Sequence, residues 1–438
     1  MTRLIDSRFA YTVLLWLMLP YALFHLWWRS RKQPEYLEHI DERFGRYKAS
    51  SDKPVIWLHT VSVGETRAIV NLVKGLRERY PDYQVLLTHT TPTGRATSEQ
   101  LFGEDVMRVY LPYDYPFTVR RFLHHFNPVV GVLLETEIWF NLIGACHASS
   151  VPLLLLNARL SEKSALSYAR FPRLCRSGLH SLHLIAAQTE DDAMRFASLG
   201  NHATPVMGNL KFDIAPPPAM IELGKQLRER FGHDRPIFLA ASTREGEEEL
   251  LLNALKNAED ERLLIVIVPR HPQRFEEVAK LIEQHGLRLQ RRSANEAVLP
   301  QTQVLLGDSM GEMFAYYAAC DIAFIGGSLL PFGGQNLIEA CAVGKPVLIG
   351  SHTYNFAQAA ELAVACGAAM QIAHADDLVH QLNNLLLEPD RLAKMGKAGL
   401  QFVSDNQGAS ERALTLIALA LEQSLYHGIV ASHVKSAP

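Results

Sequence analysis

Two successive series of short apolar runs, with helical stretches between them, predict an α/β protein built on two doubly wound parallel sheets. Three observations carry that expectation. The runs are apolar along their length rather than alternating, as strands covered on both faces must be. The series stops at Pro216-Pro217-Pro218, a stiff stretch suited to a connector, and then restarts. Polar and glycine-rich segments gather at the carboxyl ends of the runs, where open parallel sheets bind their ligands.

The chain begins with a different kind of segment. Phe9 to Trp28 holds no Asp, Glu, Lys or Arg across 20 residues. As a helix it rises about 30 Å, the thickness of a hydrocarbon core. Trp16, Trp27, Trp28, Tyr11 and Tyr21 are aromatic types that favour membrane interfaces, and Pro20 is tolerable in such a helix. Arg29, Arg31 and Lys32 come directly after the run, whereas only Arg3 and Arg8 precede it, with Asp6 between them. The positive-inside rule then places the carboxyl-terminal side of the run in the cytoplasm. A cleaved signal peptide fits poorly, because WWRSRK stands where small residues are needed. A helix lying in the interface or against the body remains the alternative to a span.

Strands are expected in order at Val55–His59, Gln84–His89, Val106–Leu111, Val129–Leu134, Pro152–Leu156 and Leu184–Ala187, with helices such as Thr66–Tyr80 and Thr118–Phe126 between them. After the connector, strands are expected at Ile237–Ala241, Leu263–Val268, Gln303–Leu306, Ile322–Ile325 and Pro346–Ile349. The expected division is an anchor helix over 1–32, a first domain over 33–214, a linker over 215–235, a second domain over 236–405, and a carboxyl-terminal helix and tail over 406–438. Two such domains imply a cleft between them.

Composition excludes several classes. Hydrophobic residues make up 48% and charged residues 20%, as in ordinary globular proteins, so the chain is neither disordered nor a polytopic membrane protein. With 43 Lys and Arg against 46 Asp and Glu the net charge is −3, which argues against a nucleic-acid binder. The 5 cysteines are widely spaced and odd in number, so no disulfide framework or zinc site is expected. The 18 histidines are scattered, with no H-E-x-x-H, and no metal or cofactor site is expected.

The residues that can carry chemistry lie at strand ends. Ser62-Val63-Gly64-Glu65 comes after the first strand, so Glu65 falls at a helix start. There it either complements the helix dipole or acts as a general base, which needs desolvation to oppose the dipole. Glu135-Thr136-Glu137 closes the strand PVVGVLL, where an acid either caps the helix starting near Trp139 or faces the cleft mouth; carboxylates from different strand ends can divide between base and electrostatic stabiliser. Lys211 sits in Gly208–Asp213 at the end of the first half, either solvated or a point charge for an anion.

In the second half, Pro269-Arg270 closes a strand and Gly311-Glu312-Met313 opens a helix. Gly326-Gly327-Ser328 and Gly333-Gly334 allow close approach of a phosphate, ahead of Asn336-Leu337-Ile338-Glu339, whose Glu339 is placed for ribose hydroxyls. Neither a G-x-x-x-x-G-K-[ST] loop nor a close G-x-G-x-x-G is present, which counts against an ATPase or a dehydrogenase. Basic residues Arg159, Lys163, Arg170, Arg173 and Arg176, with Arg120 and Arg121, are interleaved with aromatics. They are either a solvated face or a surface for anionic lipid or a phosphorylated amphiphile.

From the anchor to about residue 420 the chain resembles the 3-deoxy-D-manno-octulosonic acid (Kdo) transferases of lipopolysaccharide core synthesis. The resemblance rests on SVGE at Ser62–Glu65, LLETEIW at Leu133–Trp139, GNLKFD at Gly208–Asp213, PRHP at Pro269–Pro272, and GGSLLPFGGQNLIEACAVGKPVLIGSHTYNF at Gly326–Phe356. It implies the GT-B glycosyltransferase fold, two Rossmann-like domains with the donor on the second. It implies CMP-Kdo as donor, a lipid A precursor (lipid IVA) as acceptor, and an inverting, metal-independent reaction at the inner membrane with no cofactor. By the same resemblance Glu65 matches the proton acceptor, and Glu135 and Lys211 match transition-state stabilisers. Pro269, Arg270, Gly311, Glu312, Met313, Asn336, Leu337, Ile338 and Glu339 match CMP contacts. Two departures are Phe140 and Ser351, where proline is expected; both put local loop shape in question. The alternatives are a GT-B enzyme using a UDP-sugar, and a membrane-tethered nucleotide-sugar sensor without turnover.

Overall fold

The computed structural model describes residues 6–31, 33–200 and 204–435, with side chains as far as 423. Arg3 and Lys32, two of the basic residues flanking the apolar run, lie outside the described residues, as does the end of the tail. The chain divides into two compact units, residues 1–213 with 407–438, and residues 214–406.

The first unit holds six parallel strands, β1 (Val55–His59), β2 (Gln84–His89), β3 (Met107–Tyr110), β4 (Pro128–Leu134), β5 (Leu153–Ala158) and β6 (Leu184–Ala187). Their order in the sheet is β3-β2-β1-β4-β5-β6, with Val55 to His59 of β1 paired to Gln84 to Thr88 of β2. The order reverses between β1 and β4, which makes their carboxyl ends the topological switch point. β1 is buried throughout because both its faces are covered. Trp57 faces the layer built with Phe122, Leu142 and Leu155, while Ile56 and Leu58 face Leu72, Leu76 and Val132. Gly131, beside Trp57 on β4, is needed for that packing, since a Cβ there would stand 2.6 Å from the indole.

The carboxyl-terminal helix Ala409–Lys435 joins this unit rather than standing apart. Its Ala413, Leu414 and Ile417 complete the Ile56/Leu58 layer. Asp213 fixes its start by accepting from Gly408 N–H at 2.6 Å and from Ser410 N–H.

The second unit holds β7 (Ile237–Thr243), β8 (Leu264–Pro269), β9 (Leu289–Arg291), β10 (Val304–Leu306), β11 (Ile322–Ile325), β12 (Val347–Ile349) and β13 (Ala369–Gln371). These parallel strands run β13-β12-β11-β7-β8-β10-β9, so the switch point lies between β7 and β11. The stretch expected as a linker contains the helix Pro218–Phe231, which belongs to this unit and packs Gly224 against Ala315 and Ala318. Two more departures from the sequence reading are local. The stretch Thr66–Tyr80 is two helices, Val63–Ala68 and Val70–Arg79, broken at the buried Ile69 (φ −91°, ψ 5°). β9 and β13 were not expected; each is a three-residue edge strand without an apolar run.

The apolar amino-terminal segment is a helix, Arg8–Ser30, of 23 residues and mean hydropathy 1.6, enough by length and composition to cross a membrane. Its first turns are tied to the first unit. Tyr11 donates to Asp114 Oδ2 at 2.8 Å, Thr12 to Asn141 Oδ1 at 3.0 Å, and Tyr115 to the Leu15 carbonyl at 2.7 Å. Asp114 at the same time caps the helix Phe140–Ala148, accepting from the Asn141 and Leu142 amides. Beyond Trp16 the helix presents Leu17, Tyr21, Phe24, Trp27 and Trp28 as exposed side chains.

Candidate active site

At the end of β1 the chain turns into the helix Val63–Ala68, and Ser62 is its N-cap. Ser62 Oγ accepts from the Glu65 amide at 3.3 Å and donates to Glu65 Oε1 at 2.8 Å, while the Val61 amide donates to Glu65 Oε2 at 2.8 Å. This reciprocal cap fixes the carboxylate. Capping and desolvation act together on it: burial raises the pKa of Glu65, the Val61 bond opposes that shift, nearby Glu135 adds to it, and Ser62 and Lys211 oppose it. A base must hold its proton tightly enough to take one, and the net upward shift moves Glu65 in that direction.

Glu135 stands at the end of β4, the other side of the switch point, with φ of 59° in the left-handed region. Its backbone is pinned there by Glu135 N–H to the Leu156 carbonyl at 3.2 Å and Arg159 N–H to the Glu135 carbonyl at 3.3 Å. A left-handed non-glycine residue held this way is the kind of local strain that gathers at functional sites. Lys211 Nζ donates to Glu135 Oε1 at 3.0 Å, and both side chains are about four-fifths buried, at 18% and 22% exposure. Lys211 is carried by the turn Leu210–Phe212, which is bolted to the sheet. Asn157 Oδ1 accepts from Leu210 N–H at 3.0 Å, and Asn209 Nδ2 donates to Gln188 at 3.1 Å. Glu65, Glu135 and Lys211, expected from sequence to act together, are therefore brought together in the first unit.

Beneath them lies a buried polar layer that sequence reasoning missed. His59 and His89, at the ends of β1 and β2, are buried and linked through Thr88, Thr60, Thr66 and Ser98. Burial pushes His59 down to about 4 and His89 down to about 3, so both rings are neutral near pH 7.

In the second unit the expected binding residues also rise from strand ends. Arg270 comes directly after β8; its amide donates to the Thr243 carbonyl at 3.0 Å and its Nε to Gln335 Oε1 at 3.2 Å. Gln335 leads into Asn336, whose Oδ1 accepts from Ile338 N–H at 3.1 Å and whose amide reaches Glu339 Oε1 at 3.2 Å. Pro269, Arg270 and Asn336–Glu339 thus form one connected group, with Leu337 and Ile338 turned into the core. Gly311–Met313 rises from β10, the neighbour of β8. Gly311 has φ of 80°, and Glu312 is held by Arg292 at 3.1 Å and Ser309 at 2.7 Å.

The glycine-rich loop after β11 is organised by a residue not singled out in the sequence. Glu247 is buried and accepts from Arg244 N–H at 2.9 Å, Gly327 N–H at 2.6 Å and Leu329 N–H at 3.0 Å. One carboxylate so ties the end of β7 to the loop across the switch point. The run of acids after STREG was its only sequence signal. Replacing Glu247 by Ala should cost about 1–3 kcal/mol for each buried amide left without an acceptor, with Glu247→Gln intermediate, as read by urea unfolding. Equal stability of all three proteins would show that the loop does not depend on this carboxylate.

Both sequence departures have structural explanations. Phe140 occupies the first position of its helix, where proline would also fit. Its ring meets Tyr11 edge-on at 5.3 Å and lies over Gly178, where a Cβ would stand 2.6 Å from the ring. Ser351 is exposed, and its loop is held by its neighbours: Gly350 N–H donates to Ser328 Oγ at 2.8 Å and His352 N–H to the Ser328 carbonyl at 3.0 Å.

Two parallel Rossmann-like units, each with polar residues at strand ends, have the architecture of the GT-B fold class. Comparison with known proteins agrees. Residues 38–214 match the family model for 3-deoxy-D-manno-octulosonic-acid transferase, and residues 232–402 the model for glycosyl transferases group 1. The chain is 42% identical over 423 residues to a 3-deoxy-D-manno-octulosonic acid transferase of Bordetella pertussis, covering 93% of this chain and 98% of the relative. It is 37% identical over 425 residues to the transferase of that name from Haemophilus influenzae, covering 95% and 100%. A glycosyltransferase structure from Rickettsia africae superimposes with a TM-score of 0.56 at 16% identity, over 86% of this chain and 99% of that one. The chain belongs to the 3-deoxy-D-manno-octulosonic acid transferase family, and it is an enzyme.

Proposed function

We propose that this enzyme moves Kdo from CMP-Kdo to a sugar hydroxyl of a lipid A precursor, with inversion and without a metal, in lipopolysaccharide inner-core synthesis. The observation that carries the reading is the pairing of a capped, desolvated Glu65 with the Lys211–Glu135 ion pair across one switch point. Glu65 takes the proton of the acceptor hydroxyl as that oxygen bonds to the anomeric carbon of Kdo. The bond from that carbon to the CMP phosphate oxygen breaks, and CMP leaves with the electron pair. Glu135 and Lys211 stabilise the transition state, the carboxylate offsetting the positive charge that develops on the sugar and the ammonium holding that carboxylate in place. Arg270, with Pro269, Gly311–Met313 and Asn336–Glu339, holds the CMP moiety, Glu339 taking the ribose hydroxyls.

The helix Arg8–Ser30 anchors the enzyme on the cytoplasmic side of the inner membrane, where the lipid acceptor lies. Exposed Arg120, Arg121, Arg170, Arg173 and Arg176 support this reading, as a surface for anionic lipid. Arg173 belongs to the helix Pro172–Ser181, whose first amides Asp6 caps at 2.9 Å just ahead of the anchor.

Mass spectrometry of a lipid A precursor incubated with the full-length protein and CMP-Kdo tests the reading. A Kdo-sized increase is expected, and its multiplicity counts the sugars added. No increase with fresh donor, together with transfer from a UDP-sugar, would overturn it.

A further inference from the structure

Glu137 closes the same strand end as Glu135, and the residues around it ask for a proton. His59 Nδ1 lies 3.0 Å from the Thr88 carbonyl, which can only accept, and 2.9 Å from Thr88 Oγ1, whose own hydrogen points to the Leu58 carbonyl at 3.4 Å; both contacts are met when Nδ1 carries the ring hydrogen. Nε2 is then a bare lone pair; it is fully buried and has no hydrogen-bond partner among the described residues. It faces Glu137 Oε2 at 4.0 Å, the same oxygen that accepts from Trp139 Nε1 at 2.7 Å. An ionised carboxylate opposite a lone pair is repelled, whereas a protonated one can turn its O–H toward it.

Charge count gives the same direction. Around Glu137 stand Glu65 on the helix after β1, Glu135 just past the end of β4, neutral His59 on β1 and Tyr168 on the helix Glu162–Tyr168. The ammonium of this group is that of Lys211, bonded to Glu135.

We infer that Glu137 is a positioning residue of the transfer reaction, held as a neutral carboxylic acid against His59 so that Glu65 alone bears the uncompensated negative charge of the site. The inference rests on the reading of Glu65 as the base. Burial, reinforced by Glu65 and Glu135 and opposed by the Trp139 bond, pushes Glu137 up to about 7. His59, pushed down by its own burial, does not take the proton. Ionisation of Glu137 adds a negative charge where an acid sugar with a phosphodiester must react, so the rate falls as pH rises through that ionisation.

The test is the pH profile of kcat/KM for Kdo transfer by the full chain, between pH 5.5 and 9. Wild type should lose about tenfold per pH unit above a break near neutrality, as one ionisation dictates. Glu137→Gln presents a permanently neutral side chain whose amide oxygen can still accept from Trp139 Nε1, and its profile should lack that alkaline limb. Trp139→Phe removes the donor that favours the ionised form, so its break should move to higher pH; this second variant keeps the test open should Glu137→Gln fold poorly. An alkaline limb unchanged in both variants overturns the inference. Glu65→Gln in the same assay separates the two readings: activity retained there sinks the base, whereas loss there with unaltered profiles in the other two sinks only the role of Glu137.

Discussion

Glu65→Gln will bind the CMP-sugar donor as the wild type does and lose about 10²–10⁴-fold in kcat. The substitution is conservative where the fold depends on it. The glutamine oxygen can take the Val61 amide hydrogen bond while its NH2 faces Ser62 Oγ, which can accept, so the helix start survives. What disappears is the only property a base needs, an oxygen that can take a proton. Equilibrium binding of CMP and single-turnover product formation, measured on one preparation, separate the two effects. Ser62→Ala gives a graded control. The Ser62 bond lowers the pKa of Glu65 and burial raises it, so losing the bond raises it further. With Glu65 as the base, the acid limb of the rate profile should then move to higher pH at nearly full maximal rate. An Ala variant with an unmoved acid limb would mean that this limb reports another group.

The strand framework was legible because β6, β8 and β11 are continuous apolar runs, and β1 is one up to His59, as strands covered on both faces must be. β9 and β13 were not, because an edge strand of three partly exposed residues leaves no apolar run to read. The break at Ile69 was hidden for a different reason: no glycine or proline marks it, and the packing of a fully buried isoleucine sets it. An apolar face on Ala409–Ile417 tells that the helix is covered, not by what, so its place on the first unit could not be read. The candidate site divides in the same way. Glu65, Glu135 and Lys211 stand in quotable motifs, the two acids at strand ends and the lysine in the turn Leu210–Phe212. Glu247, His59 and Glu137 acquire their meaning from hydrogen bonds to residues 29 to 82 positions away, or from a neighbour's lone pair, and no local pattern records either.

Arg274→Met will destabilise the second unit by about 3–5 kcal/mol, because it strands a buried carboxylate. Glu248 is fully buried, and Arg274 holds it with two parallel bonds, Nη1 to Oε1 at 2.7 Å and Nη2 to Oε2 at 3.1 Å. Methionine fills much of the volume but leaves the charge without a counterion. For a unit of this size the loss corresponds to a fall of roughly 6–20 °C in the thermal transition of residues 214–406. The double variant Arg274→Met/Glu248→Gln should recover more than half of it. Its amide oxygen still accepts from Thr243 Oγ1, now at 2.7 Å from Glu248 Oε1, and no charge remains to be stranded. A cycle of the four proteins in urea measures the coupling directly. A single variant within about 0.5 kcal/mol of wild type would show that the pair contributes nothing. The consequence reaches the site through Thr243: its hydroxyl is held by Glu248 and its carbonyl takes the amide of Arg270. The ion pair therefore sets the strand end from which Arg270 emerges. Under conditions where Arg274→Met remains folded, weakened CMP binding should accompany the lost stability, and the double variant should restore both in step.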